Sequence, residues 1–350
     1  MENAITIKHR KIGPGQPTYV VAEMSGNHNQ DFNQAVRIIK AAKEAGADAI
    51  KLQTYTQDTI TIDCCNSYFM IGQGTIWVGR SLYDLYGEAY TPWEWQPDLK
   101  LIADELGMDF FSTPFDLTAV DFLETMNVPA YKIASFELVD IPLIDRVART
   151  GKPIIISTGM ATWEEIDEAV KTVRNSGNNQ LALLKCTSAY PAPPEEMNLL
   201  TIPHLAESFG LPVGLSDHTL GITAATAAVA LGACIVEKHF TMSRSNPGPD
   251  SAFSLEPHEF KSMVDAVRFA ERSLGHVSYE ATMNETASRV FRRSLFVVND
   301  MKAGDIFTNK TVRSIRPGHG LHPRYLATVY GKIAARDIKK GTPLSWDLIS

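Results

Sequence analysis

The chain has 350 residues, a length that suits about two domains of roughly 150 residues, or one α/β barrel of around 250 with a small module attached. Hydrophobic residues make up 44% and charged residues 21%, which excludes a disordered chain and a fibrous repeat. The net charge is −7 and no basic run stands out, so no nucleic-acid partner is expected.

Met1 to Gly13 lacks the continuous apolar core of a secretory signal. The most apolar later stretch, Ile222 to Val236, is shorter than the roughly 20 residues that cross a bilayer. A soluble, cytoplasmic chain with no membrane partner is the expectation. The four cysteines, with Cys64 and Cys65 adjacent, form no spaced zinc or disulfide framework, which predicts reduced thiols.

From Tyr19 onward one unit recurs: a helix-period segment, a glycine, then a short apolar run that ends in polar residues. In the first unit Phe32, Ala35, Val36 and Ile39 share one helical face. Gly46 can end that helix in a left-handed conformation. Later, Thr162 and Glu165 have the spacing of a capping box, opening a helix that presents Trp163, Ile166, Val170 and Val173 to a core. The pattern predicts strands at Tyr19 to Glu23, Ala49 to Gln53, Asp109 to Thr113, Ala130 to Ala134, Ile154 to Ser157, Leu181 to Cys186, Pro212 to Ser216 and Cys234 to His239. Strands joined by helices run parallel, and eight such units close naturally into a (β/α)8 TIM barrel. A doubly wound open sheet is the alternative. Polar residues at nearly every strand end favour the barrel, whose site gathers all eight ends.

One connection, Tyr55 to Trp93, is long and rich in aromatic residues, Trp77 and Tyr86 among them. It predicts a lid or substrate wall, or else a satellite cluster that packs the loop down. Beyond the helical stretch Pro257 to Leu274 the texture changes. The barrel domain is expected over 1–280, a linker over about 275–290 and a small β-rich module over 291–350. Within that module Asp300-Met-Lys-Ala-Gly304 resembles Asp337-Ile-Lys-Lys-Gly341 at an offset of 37 residues, which predicts internal pseudo-symmetry.

Two histidines stand at neighbouring strand ends, in Ser216-Asp-His218 and Glu237-Lys-His239. Residues two apart share a strand face, so Glu237 and His239 point one way and Lys238 the other. If the histidine face is inward, two imidazoles meet at the barrel mouth and leave positions open for water and substrate on a divalent metal. Lys51, Lys132 and Lys185 lie in runs expected to be buried on both faces. A buried ammonium needs a carboxylate partner or an anionic ligand. For three on alternate strands, with Thr113, Ser135, Thr187 and Ser188 near, a multiply charged anion is the better reading. Glu23 closes the first strand before Asn27-His-Asn, which is read either as a capping loop or as part of a site where Glu23 meets a hydroxyl or a proton. Thr158-Gly-Met160, where the fifth strand enters its helix, can offer backbone amides to an anion.

These stretches, together with Lys51-Leu-Gln53-Thr, Ser112-Thr113-Pro-Phe-Asp116, Lys132-Ile-Ala-Ser135 and Cys186-Thr187-Ser188-Ala-Tyr190-Pro, resemble in order the N-acylneuraminate synthase family. That family condenses phosphoenolpyruvate with an amino-sugar aldehyde. Phe291 to Ser350, with its Arg316-Pro-Gly turn, resembles the antifreeze-like (SAF) sugar-binding module that completes these enzymes. The resemblance implies that phosphoenolpyruvate lies among Lys51, Lys132, Lys185, Thr113, Ser135 and Ser216. It implies that Asn27, Gln53, Thr187, Ser188, Tyr190 and Asp250 belong to the substrate site, and that Glu23 and Glu237 hold sugar hydroxyls or water. His218 and His239 would bind Mn²⁺, with Mg²⁺ or Co²⁺ as alternatives, to polarise the aldehyde. A homodimer is implied, with Arg316 reaching an acetamido group in the neighbouring subunit's site. The aromatic insertion, with Trp77-Val-Gly-Arg80 and Leu82-Tyr-Asp-Leu-Tyr86, is similar to the branch that takes a diacetamido-trideoxy-altrose. The alternatives are a sialic or legionaminic acid synthase and a non-catalytic carbohydrate-binding or coat-assembly protein. Ser135-Phe136-Glu137 departs from the Ser-Gly-Glu of sialic acid synthases.

Overall fold

Eight parallel strands pair in chain order and close into a barrel, the last beside the first, so the sheet is not open. The computed structural model describes residues 3–350; Met1 and Glu2, where the reading of the N-terminal segment begins, lie outside them. The barrel strands are β3 Tyr19–Glu23, β4 Ala49–Thr54, β5 Asp109–Pro114, β6 Tyr131–Ile133, β7 Ile154–Ser157, β8 Leu181–Cys186, β9 Val213–Asp217 and β10 Ile235–His239. Each falls where the sequence predicts it, within about a residue at either end. Strand alternation sorts the side chains. Tyr19 and Val21 of β3 face the axis and Val20 and Ala22 face the surrounding helices, as do Phe111 and Phe110 of β5 respectively.

Local sequence sets the crossovers. The helix Phe32–Glu44 starts where the Asp31 side chain accepts from the Asn33 N–H at 2.8 Å, and Gly46 follows it at φ +94°. It buries Ala35, Ile38, Ile39 and Ala42, whereas Phe32 and Val36 pack only at its margin, so the core stripe sits slightly round from the predicted one. The capping box at Thr162 and Glu165 forms as expected. Trp163 is a correction: it is 44% exposed and stacks on Phe209 at 4.6 Å, because the first helical position lies beyond the edge of the core.

An unpredicted hairpin precedes the barrel. Strands β1 Ile5–Ile7 and β2 Arg10–Ile12 pair antiparallel, and Ile5, Ile7 and Ile12 pack against Tyr19, Phe111, Ile155 and Leu184 at the N-terminal end of the barrel. Full burial of each such side chain stabilises by roughly 1.5–3 kcal/mol. The insertion after β4 folds into the short helices Gln57–Ile60 and Leu82–Ala89, the latter capped by the Ser81 hydroxyl on the Asp84 N–H. Among the described residues no helix is long and apolar enough to cross a membrane, and all four cysteines are free thiols.

The chain divides into two compact units, Met1–Gly275 and His276–Ser350. In the second, β11 Ser294–Val297 and β12 Val312–Ile315 pair antiparallel over a core that includes Leu295, Val297, Phe307, Val312 and Leu344. The 37-residue repeat is built as a reciprocal pair. Asp300 accepts from the Lys340 N–H and Lys339 Nζ, Asp337 accepts from the Ala303 N–H and Lys302 Nζ, and Met301 and Ile338 exchange backbone hydrogen bonds at 2.8 Å.

Candidate active site

The C-terminal ends of β3, β4, β6, β9 and β10 bring the charged residues together. Register places Glu23 beside Lys51 on one side and His239 on the other, and Ser216 beside Glu237. Lys51 Nζ lies 2.7 Å from Glu23 and 3.6 Å from Glu237, and Lys132 Nζ lies 3.4 Å from Glu237. All four side chains are buried. Lys51 also donates to Thr113 Oγ1 at 3.3 Å and Lys132 to Ser157 Oγ at 2.7 Å, while Ser216 donates to Glu237 Oε1 at 3.2 Å. Internal pairing, the simpler reading of a buried lysine, therefore holds for Lys51 and Lys132. Glu237 Oε2 is buried and has no hydrogen-bond partner, which leaves a carboxylate oxygen for a ligand or water. Burial pushes Glu23 upward against the pull of Lys51, with Glu237 adding to the rise; Glu237 is lowered because Lys132, Lys51 and His218 outweigh its burial.

Lys185 sits differently from Lys51 and Lys132. Ala182 and Leu184 of β8 face the axis, so Lys185 points outward, half-buried, with Nζ 2.7 Å from the Cys186 carbonyl and 3.2 Å from Thr187 Oγ1. It lines a second cavity of ≈ 680 Å³ together with Thr158, Cys186, Leu199 and His204, among the loops that follow β7 and β8. The alternation of β8 makes Cys186 the inward residue instead, a thiol the sequence did not single out as a site residue. Lys238 is outward as predicted, fully buried on Asp217 at 2.7 Å. Ser157, also unpredicted, follows Ile154-Ile-Ile at the end of β7, and its parity with the inward Ile155 was the available signal.

His218 and His239 converge, with ring centroids 5.4 Å apart. His218 Nδ1 lies 3.0 Å from the Thr187 carbonyl, which can only accept, so Nδ1 carries a proton; burial opposes the charged ring, but Cys186, that carbonyl and Glu237 outweigh it and hold His218 above its usual value. His239 Nδ1 is buried without a hydrogen-bond partner, and burial followed by the His218 charge drives His239 well below its usual range, toward neutral imidazole. Among the described residues no set of three or more histidine, cysteine, aspartate or glutamate side chains forms a closed cage. A backbone-oriented imidazole beside a second one held toward its neutral form fits an open metal site completed by substrate and water, the ion displacing any proton on the first ring.

Beside the histidines lies a cavity of ≈ 470 Å³. Its polar lining includes Ser25, Gln53, Glu137 and Asp250, and the insertion supplies much of the rest, so the insertion is a wall of the site. Gln53 donates to Glu23 at 2.9 Å and to Ser25 Oγ at 3.1 Å, and the Ser25 hydroxyl donates to Asp250. Tyr190 packs 4.4 Å from the His218 ring. Burial pushes Glu137 up to about 7. Ser135 Oγ already accepts the Gly159 N–H at 3.0 Å, and a Cβ at position 159 would collide with Ser188 and Ser135 hydroxyls, so this turn is glycine-specific. Asn27 braces two loops through the Phe240 carbonyl and Ser254 Oγ, each at 2.9 Å, with its Oδ1 left unpartnered. Arg316 is exposed in the second unit.

The profile of the NeuB family matches residues 38–279, and that of the SAF domain matches residues 292–350. The chain belongs to the NeuB family. It is a phosphoenolpyruvate-dependent nonulosonate synthase. The synthase is 45% identical over 335 residues to a pseudaminic acid synthase of Helicobacter pylori, covering 95% of this chain and 98% of that protein. It is 37% identical to an N,N'-diacetyllegionaminic acid synthase of Legionella pneumophila, covering 96% of each. It also resembles the crystal structure of an N-acetylneuraminic acid synthetase from Leptospira borgpetersenii in complex with citrate, with a TM-score of 0.72 and 32% identity over 81% of this chain and 94% of that one.

Proposed function

We propose that the chain is a pseudaminic acid synthase, which joins phosphoenolpyruvate to 2,4-diacetamido-2,4,6-trideoxy-L-altrose and releases pseudaminic acid and phosphate. The higher identity to a pseudaminic than to a legionaminic acid synthase supports this choice. The observation that carries the chemistry is the layering of the barrel mouth: paired lysines and glutamates, then two histidines, then a half-apolar cavity.

Lys51 and Lys132, with the Thr113, Ser157 and Ser216 hydroxyls, offer donors to the carboxylate and phosphate of phosphoenolpyruvate. The sugar lies in the cavity above with its aldehyde toward His239. A divalent ion held by His218 and His239, Mn²⁺ by preference, supplies Lewis-acid polarisation of that aldehyde when bound. The enolpyruvyl methylene carbon forms the new bond to the aldehyde carbon, whose oxygen takes up a proton. Water adds to the cationic pyruvyl carbon and loses one proton, which balances the one taken up by the aldehyde oxygen; the C–O bond to phosphate then breaks as the added hydroxyl becomes the keto group, its proton leaving with phosphate. In this reading Glu237 accepts the proton that the water loses, a role supported by its buried, unpartnered Oε2.

A homodimer is part of the proposal. Phe136, Met160, Leu200 and Leu220, on the loops after β6, β7, β8 and β9, expose 57–75% of their area around the barrel mouth, which supports a covering partner surface. Arg316 of the partner subunit would then approach the sugar.

Mass spectrometry of the product formed with each candidate sugar tests the reading. The altrose derivative is expected to give a pseudaminic acid mass with release of phosphate; preferred turnover of N-acetylmannosamine overturns it. Chelation with EDTA is expected to abolish turnover and Mn²⁺ to restore it. Well-folded, metal-loaded protein that releases no phosphate with any sugar would instead favour a binding role.

A further inference from the structure

The insertion that walls the cavity carries more than shape. Ile71, Trp77, Leu82, Leu85 and Tyr86 all line it, while the polar lining comes from the barrel strand ends and their loops. The wall is fastened in place. The Trp77 indole N–H donates to the Pro249 carbonyl at 2.9 Å, one residue before Asp250, and the indole packs 5.6 Å from Tyr190, itself against His218. Tyr86 meets Tyr55 edge-on at 5.6 Å, and Tyr55 meets Phe115 at 5.1 Å, so the helix Leu82–Ala89 is held against the barrel rim.

An open-chain sugar presents its aldehyde at one end and C6 at the other. Hydroxyl and acetamido groups find partners among Ser25, Gln53, Glu137 and Asp250, but a hydroxyl turned to Ile71, Leu82 and Leu85 loses water and gains no partner. A methyl group there loses nothing. We infer that the face formed by Ile71, Leu82 and Leu85, held closed by Trp77, is the element that seats a C6 methyl group and disfavours sugars with a C6 hydroxyl. This rests on the proposed reading for the sugar and assigns the residues that read its deoxygenated end.

The test compares kcat/KM for the 6-deoxy sugar and its 6-hydroxy counterpart at saturating phosphoenolpyruvate. An apolar pocket rejects an added hydroxyl by about 10²-fold at most, so the wild-type preference is expected within that limit and well above unity. Leu82→Asn gives the hydroxyl a partner and is expected to lower the preference about tenfold, mainly through the sugar KM, with the phosphoenolpyruvate KM unchanged. Ile71→Thr, nearly isosteric, carries the same test if Leu82→Asn fails to fold by circular dichroism. Trp77→Phe keeps a ring but loses the Pro249 bond, and is expected to lower the preference as well. A wild-type preference near one, or variants that slow both sugars equally, overturns the inference. The same pair in the manno series separates the two proposals: faster turnover there than with the altrose sugar sinks the substrate assignment, while the 6-deoxy preference still reports on the wall.

Discussion

Lys51 sits between two carboxylates inside the barrel, and most of the site's energetics follow from it. Removing one partner of a buried ion pair strands the other charge, so Lys51→Met is expected to destabilise by about 3–5 kcal/mol, read as a lower denaturation midpoint, in addition to its loss of activity. Glu137 behaves differently. Burial raises its carboxyl to about 7, with Asp140 adding to the rise and Lys132 and Lys51 opposing it. The folded chain then holds a proton that the unfolded chain has released. That contribution is fully present below the ordinary glutamate value and is lost as pH rises through about 7. Glu137→Gln is expected to flatten the dependence of Tm on pH between about 5 and 8 and to be the more stable protein at the upper end, by on the order of 3 kcal/mol at most. A variant whose Tm keeps the wild-type slope would show that the carboxyl is solvated. The glutamate was visible in the sequence as part of a departing Ser-Phe-Glu, but its position in the cavity depends on how the chain turns after β6, which no local pattern encodes.

At the scale of the element, parity decides what a strand contributes. Glu237-Lys-His239 could be assigned correctly because two chemically distinct faces alternate within three residues. In Leu181-Ala-Leu-Leu-Lys185-Cys186 both faces are apolar up to the lysine, so nothing in the run says which side turns inward. With Ala182 and Leu184 facing the axis, alternation turns Cys186 in, its Sγ 3.8 Å from His218 Nδ1, and Lys185 out. The consequence is measurable: Lys185→Ala is expected to leave the KM for phosphoenolpyruvate within about twofold, while Lys132→Ala raises it at least tenfold. Equal effects in the two variants would contradict the assignment. The eight strands themselves were legible because each is a compact apolar run bounded by helix-period segments. The N-terminal hairpin was not, since strands of three residues carry too few alternations to stand out. Its role is nonetheless structural, and Ile7→Ala is expected to cost about 2–5 kcal/mol in denaturant titration.

For the whole molecule, the barrel order and the reciprocal repeat of the second unit were both readable, the first from the recurrence of helix and strand and the second from the 37-residue offset. What the sequence could not announce is that the barrel is plugged. With Ile5, Ile7 and Ile12 packed into its lower rim, the lysine layer can be reached only from the opposite end. Two reactants that share a single doorway cannot change places once the second is seated. With phosphoenolpyruvate on the lysines and the sugar above it, as proposed, the anion has to arrive first and the sugar behind it closes the way out. Steady-state kinetics should therefore follow a compulsory order, with a dead-end sugar analogue acting as an uncompetitive inhibitor against phosphoenolpyruvate.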